Sequence, residues 1–325
     1  MGATGLVGQT ILRVLEERQV AVETIIPLAT AGSGRTIEFA GRAIPVEPVA
    51  SFDWARAEVC FLAAGNQASE QYRPLATGAG VTVIDKASRY RMDPIVPLVV
   101  PEVNMNAVGD HLYIASPNCS TIQMVVALGP IRQRWGLQRV VVSTYQAVSG
   151  SGREAMHALT EETRQALAGQ PVAPSVYPTQ IAQNCLAYCD QFGDDGYTGE
   201  EWKLIRETQK IFEQPVAVAA TAVRVPVYVG HSESIYVETV EPFELPEIRS
   251  VLAAAPSVRL VDDPAHGVVP TALDAAGQDD VLVGRLRRDP FVRNGLHLWV
   301  VADNLRKGAA TNAIQIMDAL RQRWT

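Results

Sequence analysis

The chain opens Met1-Gly2-Ala3-Thr4-Gly5-Leu6-Val7-Gly8, three glycines spaced three apart. Val7, Ile11, Leu12 and Leu15 then recur at helical intervals, with Arg13, Glu16, Glu17 and Arg18 on the opposite side. Glycines ahead of a helix let the backbone approach a pyrophosphate, and the helix start offers N–H donors and the positive end of its dipole. The spacing is G-x-x-G-x-x-G rather than G-x-G-x-x-G, so the motif alone suits a plain tight turn equally well. The residues beyond the turn decide between the two. Strand-like runs Val22 to Leu28, Ala57 to Ala64, Val81 to Asp85 and His111 to Ala115 alternate with polar or helical stretches such as Gln67 to Thr77. That rhythm predicts an α/β, doubly wound parallel sheet.

Past residue 120 the rhythm changes. A helix over Thr121 to Trp135 leads to a strand over Arg139 to Gln146, and a helix over Gly152 to Ala168 comes next. Strands over Val216 to Val225, Glu233 to Glu241, Val281 to Arg287 and Gly295 to Ala302 predict an α+β region with a mostly antiparallel sheet. A last amphipathic helix over Ala309 to Trp324 turns Ala313, Ile314, Met317 and Leu320 inward. The expected division is 1–118, 119–302, and a 303–325 segment returning to the first domain.

Composition bounds the function. At about 150 residues per domain, 325 residues make roughly two domains, and 47% hydrophobic content excludes a disordered chain. With 28 basic against 35 acidic residues the net charge is −7, which argues against a sequence-independent grip on nucleic acid or anionic lipid. Pro94, Pro97 and Pro101 break the best apolar run. Four irregularly placed cysteines do not make a disulfide framework. A cytoplasmic protein with small-molecule partners is expected.

Cys119, in Ser116-Pro-Asn-Cys-Ser-Thr121, falls at a helix start, where the dipole favours a thiolate. Cys60 lies within an apolar strand and reads as core; Cys185 and Cys189 would share a face if helical, and with no histidine nearby they read as packing, not metal ligands. His231 follows Gly230 at a turn, seven residues after Arg224, while Gln146 ends a buried strand ahead of Ala147-Val-Ser-Gly150. No acid stands in Ala29-Thr-Ala-Gly-Ser33-Gly-Arg35 to read a ribose diol, so Ser33 and Arg35 favour NADP.

Taken in order, Gly2 to Gly8, Arg91-Met-Asp-Pro, Val99-Val-Pro-Glu-Val-Asn104, Pro117-Asn-Cys-Ser120, Gln146-Ala-Val-Ser-Gly150, Glu200-Glu-Trp-Lys203, Arg224-Val-Pro, His231-Ser-Glu233 and Asp303-Asn-Leu-Arg-Lys-Gly-Ala-Ala310 resemble the aspartate-semialdehyde dehydrogenase family along essentially the whole chain. The resemblance implies a Rossmann-type NADP-binding domain, a catalytic and dimerisation domain, and a homodimer. It makes Cys119 the nucleophile, His231 the acid/base and Gln146 the residue orienting the intermediate. Arg224 would hold the substrate carboxylate, Arg91 and Lys203 its phosphate, and Glu200 (or the adjacent Glu201) its ammonium, with Asn118 beside the nucleophile. Thr4, Gly5, Leu6 and Val7 would cradle the pyrophosphate, and Ser149, Gly150 and Asn304 the nicotinamide side. No metal is implied.

Three places depart from the family's pattern: Gly32-Ser33, Lys86-Ala87 and Asn66. An N-acetyl-glutamyl-phosphate reductase-like enzyme and an inactive dimerisation module are the alternatives. In this fold a strand of about half a dozen residues precedes the glycine turn, so a few apolar residues are expected ahead of Met1, and their loss would remove the base of the turn.

Overall fold

The computed structural model describes residues 1–30 and 34–324, which divide into two units, Met1–Asn118 with Ala309–Thr325, and Cys119–Gly308. In the first unit the strands Val59–Leu62, Thr82–Asp85 and Tyr113–Ala115 form a parallel sheet with Thr82–Asp85 at its centre. Every residue of that central strand is buried, as a parallel sheet covered on both faces requires. The helices Leu6–Glu17, Asn66–Gly78 and Asn312–Trp324 belong to the same unit. Ile11, Val14, Leu15, Ile84, Ile114, Ile314 and Met317 form one apolar core, so the final helix is an integral part of it.

The glycine turn is anchored in the ladder. The Met1 ammonium donates to the Phe61 carbonyl at 2.6 Å, the Met1 carbonyl accepts from Ala63 N–H at 3.1 Å, and Gly2 N–H donates to Leu28 at 2.9 Å. The expected strand over Val22 to Leu28 shrinks to Leu28–Ala29, paired in parallel with Glu47–Pro48. A strand is defined by its partners, and Ile25, Ile26 and Val59 to Phe61 instead line a cavity of about 690 Å³. A hairpin, Thr36–Phe39 with Arg42–Pro45, has no counterpart in the sequence reading.

The second unit is built on a six-stranded sheet in the order Val258–Leu260, Val281–Arg288, Gly295–Ala302, His231–Glu238, Arg139–Gln146, Ala217–Arg224. The three inner pairings are antiparallel and each outer pairing is parallel. Val140, Val142, Ile235, Leu298 and Val300 point to one face, covered by the helices Cys119–Trp135, Gly199–Phe212 and Leu245–Ala254. Cys185 and Cys189 do not share a helix face: the segment is irregular, tied by a bridge between Leu186 and Arg224, with Cys185 exposed and Cys189 buried.

Candidate active site

The first unit presents a nucleotide cradle. Gly2 takes φ +78°, and a Cβ at Gly8 would stand 2.2 Å from the Gly2 carbonyl oxygen, so neither position admits a side chain without a backbone shift. The helix Leu6–Glu17 starts at Gly5 with no side-chain cap and no acid in its first turn, leaving its N–H donors to an anion. Thr4, Gly5, Leu6 and Val7 therefore fit a pyrophosphate. Arg35 is exposed, as a 2′-phosphate reader needs to be, whereas Ser33 lies outside the described residues.

The approach to Cys119 is braced within that unit. Lys86 Nζ donates to Ser116 Oγ at 2.9 Å and to the Pro117 carbonyl at 3.3 Å, and Asn312 Nδ2 donates to Ser116 Oγ at 2.9 Å. Arg91 donates to the Lys86 carbonyl at 2.6 Å. Asp85 accepts from Ser69 Oγ at 2.6 Å, from Tyr113 and from Ala87 N–H, so Ala87 contributes through its backbone.

In the second unit Cys119 is the first residue of a 17-residue helix with no acid in its first turn, a setting that favours a thiolate. Gly308 lies against it; a Cβ there would come 2.8 Å from Cys119 Cβ. Cys189 adjoins the same site: burial pushes its thiol up to about 12, with Arg224, Glu200 and Cys119 all near enough to act on it. Cys189 is thus a poor nucleophile and reads as packing.

His231 and Arg224 converge under Gly150. A Cβ at Gly150 would stand 3.0 Å from Arg224 Nη1 and 3.2 Å from His231 Nε2. His231 is fully buried, and its Nδ1 accepts a 3.0 Å hydrogen bond from Ala147 N–H. A backbone N–H can only donate, so the neutral ring carries its proton on Nε2. Burial and the Arg224 charge both hold the imidazole well below its ordinary pKa, and Nε2 has no hydrogen-bond partner. Arg224 Nη1 donates to the Ala147 carbonyl at 2.8 Å; its Nε is buried and unpaired, and among the described residues no carboxylate pairs with it. Such a guanidinium is prepared for an incoming carboxylate.

Gln146, 1% exposed, donates to Glu200 Oε1 at 3.1 Å. Glu200 Oε2 pairs with Lys203 at 3.2 Å, and Lys203 pairs with Asp190 at 2.7 Å. Burial pulls the Lys203 pKa down, but Glu200 and Asp190 outweigh it and raise the net value, so the lysine stays charged. The adjacent Glu201 is committed elsewhere. Its Oε2 accepts from Thr198 N–H at 2.7 Å in a capping box, and its Oε1 from Ala222 N–H at 3.0 Å. Glu200 is therefore the acid that faces the site. Ser149 and Asn304 exchange hydrogen bonds at 2.9–3.1 Å, and Asn304 Oδ1 also accepts from Gly230 N–H at 3.0 Å.

The sequence reading missed Gly308, Asp190, the Ala147 backbone and Gln123. Gln123, four residues beyond Cys119 and so on the same helix side, could have been found from that spacing. The others meet the site through the fold alone. Among the described residues no three His, Cys, Asp or Glu side chains converge on a metal position, and no helix is long and apolar enough to cross a membrane.

A nucleotide cradle and a separate unit carrying Cys119 and His231 define the class. Family models for the semialdehyde dehydrogenases match it, the NAD binding domain over residues 1–111 and the dimerisation domain over 128–307. Aspartate-semialdehyde dehydrogenases from Shewanella sp. (strain DB6705) and Legionella pneumophila are 47% and 46% identical, aligned over 98% and 99% of this chain and 96% and 94% of theirs. The crystal structure of aspartate semialdehyde dehydrogenase II from Vibrio cholerae superposes with a TM-score of 0.96 at 44% identity, covering 100% of this chain and 98% of that one. The chain belongs to the aspartate-semialdehyde dehydrogenase family.

Proposed function

We propose that the chain catalyses the reversible, NADPH-dependent reductive dephosphorylation of 4-phospho-L-aspartate to L-aspartate 4-semialdehyde, within lysine, threonine and methionine biosynthesis. The observation that carries this is the cradle under Gly150, where the Arg224 guanidinium, its Nε unpartnered, and the Nε2 proton of His231 converge. One group takes a carboxylate and the other an acyl oxygen.

Arg224 holds the α-carboxylate and Glu200 the ammonium, while Arg91, Lys203 and Asn118 serve the phosphate and acyl ends. Cys119 attacks the acyl carbon as thiolate. The C–S bond forms, the C–O bond to phosphate breaks, and phosphate departs with the bonding pair and takes up a proton. His231, with its proton on Nε2, donates a hydrogen bond to the oxygen of the tetrahedral intermediate, and Gln146 orients it. A base at Nε2 would need the opposite tautomer, so the expected acid/base role narrows to that of a donor. When bound, the nicotinamide supplies the hydride. Breaking the C–S bond then releases the aldehyde and restores the thiolate, so the cycle needs no imidazole base. Thr4 to Val7 hold the pyrophosphate and Arg35 the 2′-phosphate, with Ser149, Gly150 and Asn304 on the nicotinamide side. A cytoplasmic homodimer completes the reading.

Phosphate-dependent reduction of NADP⁺ by aspartate semialdehyde is the test. Activity is expected in the intact chain and a loss of at least 10³-fold in Cys119→Ser, the weaker hydroxyl nucleophile. Preferential turnover of an N-acetylated, one-carbon-longer semialdehyde would overturn the substrate assignment.

A further inference from the structure

Glu233 is fully buried on the strand His231–Glu238, two residues from His231 and on the same sheet face. Neither carboxyl oxygen makes a hydrogen bond of good geometry, although the Gln123 side chain stands close enough to act on the carboxyl. Two further orphaned atoms belong to its fully buried neighbours, Gln123 Oε1 and Thr144 Oγ1. Thr144 is the ladder partner of Glu233, so the two side chains stand side by side, roughly 5 Å apart at Cβ. Gln123 faces Glu233 from the nucleophile helix and donates through Nε2 to the His231 carbonyl at 3.2 Å. The other ladder partner is Val300, and no charged group enters the surroundings of Glu233 among the described residues.

Three orphaned groups beside a bonded amide invite an accounting. If Glu233 is ionised it offers only acceptors: the two amide hydrogens of Gln123 can serve the His231 carbonyl and the carboxylate, but Gln123 Oε1 finds no donor and stays orphaned beside a negative charge. If Glu233 is protonated, its O–H donates to Gln123 Oε1, its carbonyl oxygen accepts from Thr144, and Gln123 Nε2 stays on His231. Only the second arrangement satisfies all four residues.

We infer that Glu233 is a positioning residue that works as a neutral carboxylic acid: it locks Gln123, and through Gln123 the His231 backbone, so that Nε2 faces the substrate. Burial acts in the same direction and outweighs the opposing pull of the Gln123 amide, holding the Glu233 carboxyl well above the usual range. The inference rests on the catalytic reading of His231, but the protonation state can be read without it.

The test combines spectroscopy with two variants. Infrared difference spectra of the intact enzyme at neutral pH are expected to show a protonated-carboxyl band that is lost in Glu233→Gln. That amide can still donate to Gln123 and accept from Thr144, so its kcat is expected within about twofold of the parent. Glu233→Leu cannot do either; kcat is expected to fall at least tenfold, with KM for both substrates within twofold and no fall in Tm. Gln123→Met, which removes the amide instead, should reproduce that kinetic split and serves if the leucine variant does not fold. Absence of the band, full kcat in both Glu233→Leu and Gln123→Met, or a loss that tracks Tm would each overturn the inference. An inactive parent enzyme that still shows the band would instead count against the proposed function.

Discussion

Gly150 carries no positive φ, so replacing it tests space and not backbone strain. The methyl of Gly150→Ala would press on Arg224 Nη1 and His231 Nε2, the two donors meant for substrate. Steady-state kinetics should show KM for aspartate semialdehyde raised and kcat lowered, each several-fold or more, with Tm unchanged. Glu233 predicts a stability effect with a definite sign. Folded, it binds a proton; unfolded, it releases it near its ordinary value of 4.5. Its protonated-state contribution is therefore complete below about pH 4.5 and is lost as pH rises through the higher folded value. Glu233→Gln removes this loss. In thermal melts the variant is expected to gain on the parent from pH 5 to pH 8, and the gap should close at pH 4. Cys119, Gln146, Arg224 and His231 were legible because each sits beside a turn or strand end that marks a chemical setting. Glu233 and Gln123 were not, since their meaning lies in burial and in orphaned atoms, which no one-dimensional pattern displays.

Among the elements, the nucleophile helix is held where it starts. Gly308 admits the Cys119 side chain by having none, in the π-helical segment Arg306–Thr311. Gly308→Ala must move one or the other, and overpacking of this kind costs about 1–3 kcal/mol. Denaturant unfolding should register that loss, and the rate of Cys119 alkylation should fall with it. The sequence marked the helix start correctly but not the glycine beneath it, which is brought there from almost two hundred residues away by the strand Gly295–Ala302. An element also separates Glu200 from Glu201. Thr198 caps the helix Gly199–Phe212 and takes Glu201 for its capping box, so the neighbouring acid at the helix start is left to the site. The contraction of Val22 to Leu28 has the complementary cause. Its composition suits a strand, but only Leu28 and Ala29 have a ladder partner.

For the molecule as a whole, the alternation of strands and helices made the first unit readable, and the change of rhythm after residue 120 announced the second. What no rhythm shows is how the second face of the six-stranded sheet is covered: the helix Ala272–Ala275 packs on Leu282, Val301 and Trp299, while Tyr145 is left exposed. Tyr145 and Trp299 lie ring to ring at 5.3 Å on strands flanking His231–Glu238, and Tyr236 and His297 adjoin at 4.9 Å. Their faces alternate with Val142, Thr144, Ile235 and Leu298, which turn toward the helices, and Tyr145 remains 37% exposed. An aromatic face of this kind on a sheet otherwise built for burial suits a self-complementary, twofold interface, which in an obligate dimer runs to about 2,000 Å² or more in general. Tyr145→Arg places a charge at its centre, where each copy would meet the other's. Sedimentation should show a dimer for the parent chain and a monomer, or a dissociation constant raised at least 100-fold, for the variant. Because Tyr145 points away from Thr144 and Gln146, the fold of the monomer should survive. A variant that remains fully dimeric would place the interface elsewhere on the second unit.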